Sequence, residues 1–390
     1  MFQLLLVIIY LAFISLGLPD ALLGSAWPSM YRELGASVSY AGIISMIIAG
    51  GTIISSLFSD RLIRAFGTGK VTVISVAMTA AALFGFSSSH SFIQLCLWAI
   101  PYGLGAGSVD AGLNNFVALH YKSRHMSWLH CFWGIGATAG PYIVGSEMCI
   151  RDRGVIQIAL VACLVLSLPL WRVRTEGSSG QDDTHKQITL REGLRLPGAK
   201  AVLTAFFCYC ALEATAGLWA SSYMVLHKGI APQTAAKWAS FFYLGITLGR
   251  LVSGFVTDRA GDRNMVRCGQ LTAFAGTVLL FLPAGDGAVL AGLIMVGLGC
   301  APIYPRLLHE TPDNFGVQYS QSMMGMQMAC AYVGSTFMPP LFGVVAERIS
   351  VTLYPVCLVV FVVLMIGMTE RMGRVQDGKV NGLTHAQLLQ

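Results

Sequence analysis

Three acidic residues are set apart by where they fall. Of the 19 Asp and Glu in the chain, only Asp20, Asp110 and Glu213 lie well inside long apolar stretches. An ionised side chain in hydrocarbon costs roughly 3 kcal/mol even on a lenient scale, so such a residue is a candidate for chemistry. Desolvation favours the neutral acid and hydration the anion. A carboxyl that alternates between the two environments therefore takes up and releases a proton, and Asp110 and Asp20 are assigned that coupling role.

Asp110 lies in Gly103-Leu-Gly-Ala-Gly-Ser-Val-Asp-Ala-Gly-Leu-Asn-Asn115. On a helix, Asp110 and Asn114 share one face. An acid stacked over an amide offers donors and acceptors suited to sugar hydroxyls, or to a water beside the proton site. Asn114, Asn115 and Glu213 are accordingly read as solute-binding. Trp133 and Trp219 add flat apolar faces of the kind that stack on a sugar or drug ring. Arg250, in Gly249-Arg250-Leu-Val-Ser-Gly254, is a turn or two from the end of its apolar stretch. It either snorkels to the interface or pairs with Glu213.

Only membrane-spanning elements can position such residues, and the composition supplies them. The 390 residues are 55% hydrophobic and 11% charged, with a mean hydropathy of +0.66, whereas soluble domains are about 25% charged. A water-soluble globular protein is excluded. With about 20 apolar residues per span, twelve segments can be drawn: about 2–28, 39–59, 70–87, 92–118, 127–145 and 154–171, then 201–225, 235–257, 265–283, 287–308, 318–345 and 351–369. The first run has no basic leader and is too long for a signal-peptide core, so it reads as a retained span. The polar stretch 172–200 buries too little apolar surface to insert. The expected fold is all-α and integral to the membrane, with twelve helices in two pseudo-symmetric six-helix bundles: 1–171, a linker 172–200, 201–370, and a tail 371–390.

Lys and Arg fall unevenly on the alternate loops. With the amino terminus inside, 18 lie on the cytoplasmic side and 4 outside, which places the linker, the tail and both termini in the cytoplasm of a cell, most simply at a bacterial plasma membrane. The halves also repeat. Asp60-Arg61 returns 198 residues later as Asp258-Arg259, and Gly103-Leu104-Gly105 returns 194 later as Gly297-Leu298-Gly299. Duplicated bundles of this kind build secondary carriers, with the site at the repeat interface. Met148-Cys149-Ile150-Arg151-Asp152-Arg153 reads as the translation of a transposase-type sequencing adapter, puts two arginines outside, and is set aside from functional argument.

Other chemistry is unsupported. The ten cysteines form no Cys-x-x-Cys, His120, His125 and His130 are spaced by five, and no His-Glu-x-x-His or phosphate-binding Gly-x-x-x-x-Gly-Lys motif occurs. No metal, prosthetic cofactor, enzymatic activity, nucleic-acid partner or obligatory protein partner is expected. The expected partners are a small solute, a proton or sodium, and the bilayer.

The loop Gly254-Phe-Val-Thr-Asp258-Arg259-Ala-Gly261-Asp262-Arg263 resembles the Gly-x-x-x-Asp-Arg-x-Gly-Arg-Arg signature of the major facilitator superfamily. The first-half copy is degenerate, with Ser56 leading and the glycine delayed to Gly67. The resemblance implies that Asp60, Arg61, Asp258 and Arg259 gate the cytoplasmic side, and Arg250 is grouped with them. Within the superfamily, Gly105-Ala-Gly-Ser-Val-Asp110, Ala211-Leu-Glu213, Gly249-Arg250 and Ala301-Pro302-Ile-Tyr-Pro305 are similar to the fucose and glucose/mannose proton symporters. That implies monosaccharide uptake with a proton by alternating access, with spans 1, 4, 7 and 10 lining the cavity. The alternative is a drug or metabolite antiporter, through Gly136-Ala-Thr-Ala-Gly140-Pro141 and Gly145. A non-transporting receptor would need no buried carboxylates.

Overall fold

In a bilayer core the backbone must satisfy its own hydrogen bonds, so apolar runs of this length become helices. The computed structural model describes residues 2–20, 34–36, 40–145, 188–283 and 285–388. The helices are α1 Phe2–Asp20, α2 Tyr40–Phe66, α3 Thr68–Ser88, α4 Phe92–His120, α5 Ser123–Gly145, the single turn α6 Leu190–Gly193, α7 Ala199–Leu226, α8 Pro232–Ala260, α9 Asp262–Phe281, α10 Asp286–His309, the short α11 Thr311–Phe315, α12 Val317–Arg348 and α13 Tyr354–Leu388. Eight of these are long and apolar enough to cross a membrane. The sixth expected span, 154–171, the segment Met148–Arg153 and linker residues 172–187 lie outside the described residues.

Side chains such as Ile93 (71% exposed) and Phe255 (67% exposed) point outward from helices that would be intolerably apolar in water. Lipid is the solvent that covers them.

Two compact units emerge, Met1–Tyr121 with Trp128–Gln187, and Lys122–Ser127 with Ile188–Gln390. Within the first, α4 packs on α2 and α3; within the second, α10 packs on α8 and α9, and α7 packs on α12 and α13. The seams of the two units are built alike. A methyl on Gly103 would run into the carbonyl oxygen of Ile48, and one on Gly297 into that of Phe242. A methyl on Gly105 would meet the Ser75 carbonyl oxygen at 2.8 Å, and one on Gly299 that of Gly269 at 2.6 Å. In all four comparisons the partner positions are 194 residues apart, so the duplication reaches down to individual backbone contacts.

The degenerate first-half motif has a simple structural basis. Gly67 (φ 80°, ψ 152°) joins α2 to α3, and Gly261 (φ 77°, ψ 154°) joins α8 to α9; both occupy the positive-φ region that favours glycine. Gly67 lies seven positions after Asp60, but Gly261 lies three after Asp258. Gly67 and Gly261 are 194 residues apart, as Ile48 and Phe242 are, so α2 and α8 run equally far from seam to hinge. The Asp60-Arg61 pair sits one turn earlier in its helix, and Arg64 occupies the position that matches Asp258.

Beside the Gly261 hinge, α13 continues as helix through the expected tail to Leu388. Two ion pairs fasten it to α9: Arg267 Nε to Glu370 Oε1 at 2.6 Å and Arg263 Nη1 to Asp377 Oδ1 at 2.9 Å. Linker residues 188–198 form a capped turn, in which Thr189 and Glu192 exchange hydrogen bonds in a capping box.

Candidate functional site

In the first unit the helical spacing delivers the expected pair. Asn114 Nδ2 donates to Asp110 Oδ1 at 2.8 Å and to the Asp110 carbonyl oxygen at 2.9 Å. Asn114 is wholly buried and Asp110 is half-buried. His130 of α5 joins them, its Nε2 3.1 Å from Asn114 Oδ1. In the sequence His130 stands out only as a polar ring inside an apolar stretch, with no metal-ligand spacing to its neighbouring histidines. Asn115 is 7% exposed, and its Oδ1 has no hydrogen-bond partner among the described residues. Trp133 is half-buried on α5, next to Phe132, which stacks on Tyr10 at 4.7 Å. Asp20 is the last residue of α1, and its side chain lies outside the described residues.

In the second unit, Arg250 pairs with Glu213, Nη2 to Oε1, at 3.5 Å. Of the two readings of Arg250, snorkelling and pairing, the structure shows the pair. Tyr209, one turn from Glu213 on α7, accepts a hydrogen bond from Arg250 Nη2 at 3.4 Å. Tyr304 of α10 packs on both Tyr209 and Phe206 at 5.5 Å and donates its hydroxyl to Met328 sulfur. Trp219 is held by other means: its Nε1 donates to the Pro339 carbonyl at 2.9 Å, and its ring stands edge-on to Phe342 at 5.4 Å. Pro339 and Pro340 lie inside α12. Proline lacks an N–H and so cannot bond to the carbonyl one turn back.

The two Asp-Arg motifs are wired differently. Asp60 takes a bidentate pair from Arg64 of its own helix at 2.9 and 3.1 Å, and Arg64 stands where the repeat offset of 194 puts Asp258 in the second unit. Arg61 is exposed and lies over the Phe58 ring at 5.4 Å. Asp258 lies 3.5 Å from Arg124, while Arg259 is exposed.

Where the superfamily signature carries arginine, this chain has Asp262, and the positive charge comes instead from Arg306 of α10. Arg306 Nη1 is 3.2 Å from Asp262 Oδ1, and its two terminal nitrogens donate to the hydroxyls of Ser123 and Ser127. Ser123 donates to Asp262, and His309 Nδ1 lies 2.8 Å from Asp262 Oδ2. Burial works against the Asp262 charge, yet the hydrogen bonds from His309 and Ser123 and the Arg306 cation hold its carboxyl below the usual range. Glu310, the next residue after His309, is pushed up to about 7 by burial and by the Asp262 charge. Arg306, by its place in the sequence one of the cytoplasmic loop charges, is 0% exposed.

Duplicated helical units with acids on membrane helices and charged loops at the helix hinges define a secondary carrier. The chain belongs to the major facilitator superfamily, whose family model matches residues 9–225 and 201–374. It is 20% identical over 380 residues to the glucose/mannose transporter GlcP of Bacillus subtilis, covering 94% of each chain. Among solved structures it is similar to the human organic anion transporter MFSD10, with a TM-score of 0.78 and 12% identity over 95% of this chain and 99% of that one. It is also similar to the E. coli fucose:proton symporter FucP, with a TM-score of 0.75 and 16% identity over 94% and 98%. The twelve-helix fold anticipated from the sequence is therefore that of the family, and the chain is a multi-pass membrane transporter.

Proposed function

We propose that this chain moves a monosaccharide together with a proton running down its gradient, by alternating access. The observation that carries the reading is the half-buried Asp110 carboxyl on a membrane helix, held at 2.8 Å by a fully buried amide. Such a group can exchange its proton when hydrated and lose its charge when closed off. The names of GlcP and FucP support sugar as the solute class. In this reading Asp110 is the coupling acid with Asp20 as a second, and sodium is the competing ion. Asn114, Asn115 and Glu213 hydrogen-bond the solute, and Asn115 Oδ1 is an acceptor awaiting a donor. Trp133 supplies a stacking face. Asp60, Arg61, Asp258 and Arg259 act as gating charges in the last turns of α2 and α8, where charged contacts make and break, a bistable arrangement. The uneven loop charges support a cytoplasmic location for both termini.

A second reading, proton-driven export of a drug or metabolite, draws on the Gly136 to Pro141 segment of α5 and on the name of MFSD10. One assay separates them. Purified protein in proteoliposomes is given glucose, mannose and fucose, and separately a panel of lipophilic cations and organic anions, while internal pH is recorded. Sugar-driven acidification that vanishes in Asp110→Asn establishes symport. Alkalinisation of acid-loaded vesicles by the second panel establishes the antiporter, and uphill sugar uptake that survives intact in Asp110→Asn removes Asp110 as the coupling site.

A further inference from the structure

We propose that His130 is a positioning residue for the coupling acid: by donating from Nε2 it fixes the Asn114 amide so that a donor always faces the Asp110 carboxyl. The inference rests on the reading of Asp110 as the proton site and adds to it the group that sets the acid's working pH.

The direction of the hydrogen-bond chain follows from the atoms that meet. Asn114 Nδ2 faces two oxygens, the Asp110 carbonyl and carboxylate, at 2.9 and 2.8 Å. An amide oxygen placed there would oppose both, so the nitrogen belongs there and Oδ1 faces the ring. Oδ1 only accepts, hence His130 Nε2 at 3.1 Å must carry hydrogen. The ring is 6% exposed, and Phe13 stands edge-on to it at 5.6 Å and 88°, which fixes its plane. Donation therefore runs one way, from His130 to Asn114 to Asp110, whether the imidazole is neutral or protonated.

A hydrogen bond donated to the ionised form favours that form. With His130 in place, Asp110 gives up its proton more readily than it would beside an amide free to rotate. Without it, only the Asp110 backbone carbonyl holds Asn114 Nδ2 in place, and each time the amide swings away the carboxylate loses its donor, which favours the neutral form. Other polar groups lie on the elements around α4. Toward α4, α2 presents Ile48, Thr52 and Ser56, with Ser55 bonded to Ser108, and α3 presents Ser75, Met78 and Thr79. Further along α2 lies Asp60, bonded to Arg64. Further along α4 lies His120, bonded to the Phe116 carbonyl. Asp20 ends α1.

The test compares His130→Phe, which fills the space without a donor, with His130→Gln, which restores one. Each is reconstituted and assayed for uphill uptake of glucose, mannose and fucose against pH, alongside downhill exchange. His130→Phe is expected to move the midpoint of the pH dependence upward by about one unit, with exchange at acid pH retained, and His130→Gln is expected to move it back. A His130→Phe profile that overlays the wild type overturns the proposal. So does a His130→Gln profile displaced as far as that of His130→Phe, because the ring would then matter for shape and not for donation. Should His130→Phe fail to fold, His130→Leu answers the same question against His130→Gln. Asp110→Asn in the same vesicles keeps the two readings apart: uphill uptake that survives there refutes the role of Asp110 itself, whereas its loss with unmoved His130 profiles refutes only the role of His130.

Discussion

Arg250 on α8 brings its Nη2 to 3.5 Å from Glu213 Oε1 on α7, and the arginine side chain is only 6% exposed. Removing one member of such a pair strands the other in a poor solvent for charge. Glu213→Gln is therefore expected to lower stability by about 3 kcal/mol, while replacing both residues with apolar side chains of similar volume recovers most of it. Thermal unfolding in detergent checks this. A double variant no more stable than Glu213→Gln would show that the pair is not what Arg250 depends on. The stabilised double variant is further expected to be transport-inactive if Glu213 contacts solute.

Trp219 donates to Pro339 and packs on Phe342, so its indole serves α7–α12 packing. Trp219→Phe should cost about 1 kcal/mol for the lost hydrogen bond, with the KM for solute unchanged. A KM that rises several-fold at unchanged stability would return Trp219 to the solute-stacking role its residue type suggests.

The glycine seams are expected to be intolerant of a single carbon. Gly103→Ala and Gly297→Ala each drive a methyl into a backbone carbonyl, and overpacking of this sort costs about 1–3 kcal/mol. Gly42→Ala has open space around it and serves as the control. Equal yields of monodisperse protein from all three would contradict the close approach.

Glu310 gives the second unit a pH dependence of known sign. Its folded-state pKa is raised from 4.5 to about 7 by burial and by Asp262, with Asp313 also opposing its charge and His309 and Arg263 favouring it. The stability it contributes is fully present below pH 4.5 and is lost as pH rises through about 7. Glu310→Gln cannot ionise, so its unfolding temperature is expected to fall less than that of the wild type between pH 5 and pH 8. Parallel curves for the two proteins would exclude Glu310 as the titrating group.

What was legible in the sequence was whatever a single helix dictates. Asp110 and Asn114 are neighbours because residues four apart on a helix must be, and the offset of 194 pairs Gly103-Leu104-Gly105 with Gly297-Leu298-Gly299 as copies of one unit. What was not legible required two helices to meet. His130 reaches Asn114 only because α5 lies against α4, and the Trp219 indole finds its acceptor 120 residues away at Pro339. Arg306 looked like an ordinary loop cation because nothing in its own neighbourhood signals that two serines and an aspartate will satisfy it in a fully buried position. The degenerate motif concealed an ordinary change, an Asp-Arg pair set one turn farther from the same glycine hinge, which spacing alone could not separate from loss of the hinge.

The seams at Gly103 and Gly105 have one more consequence. With main chain against main chain, α2, α3 and α4 share no cushion of side chains that could absorb a small slide, so Asp110, five residues beyond Gly105, is carried wherever that frame goes. Adaptation to a new cargo must therefore come from exchanging side chains on the faces turned away from the seams. The frame is the part of this carrier that selection can leave alone while its menu of solutes changes.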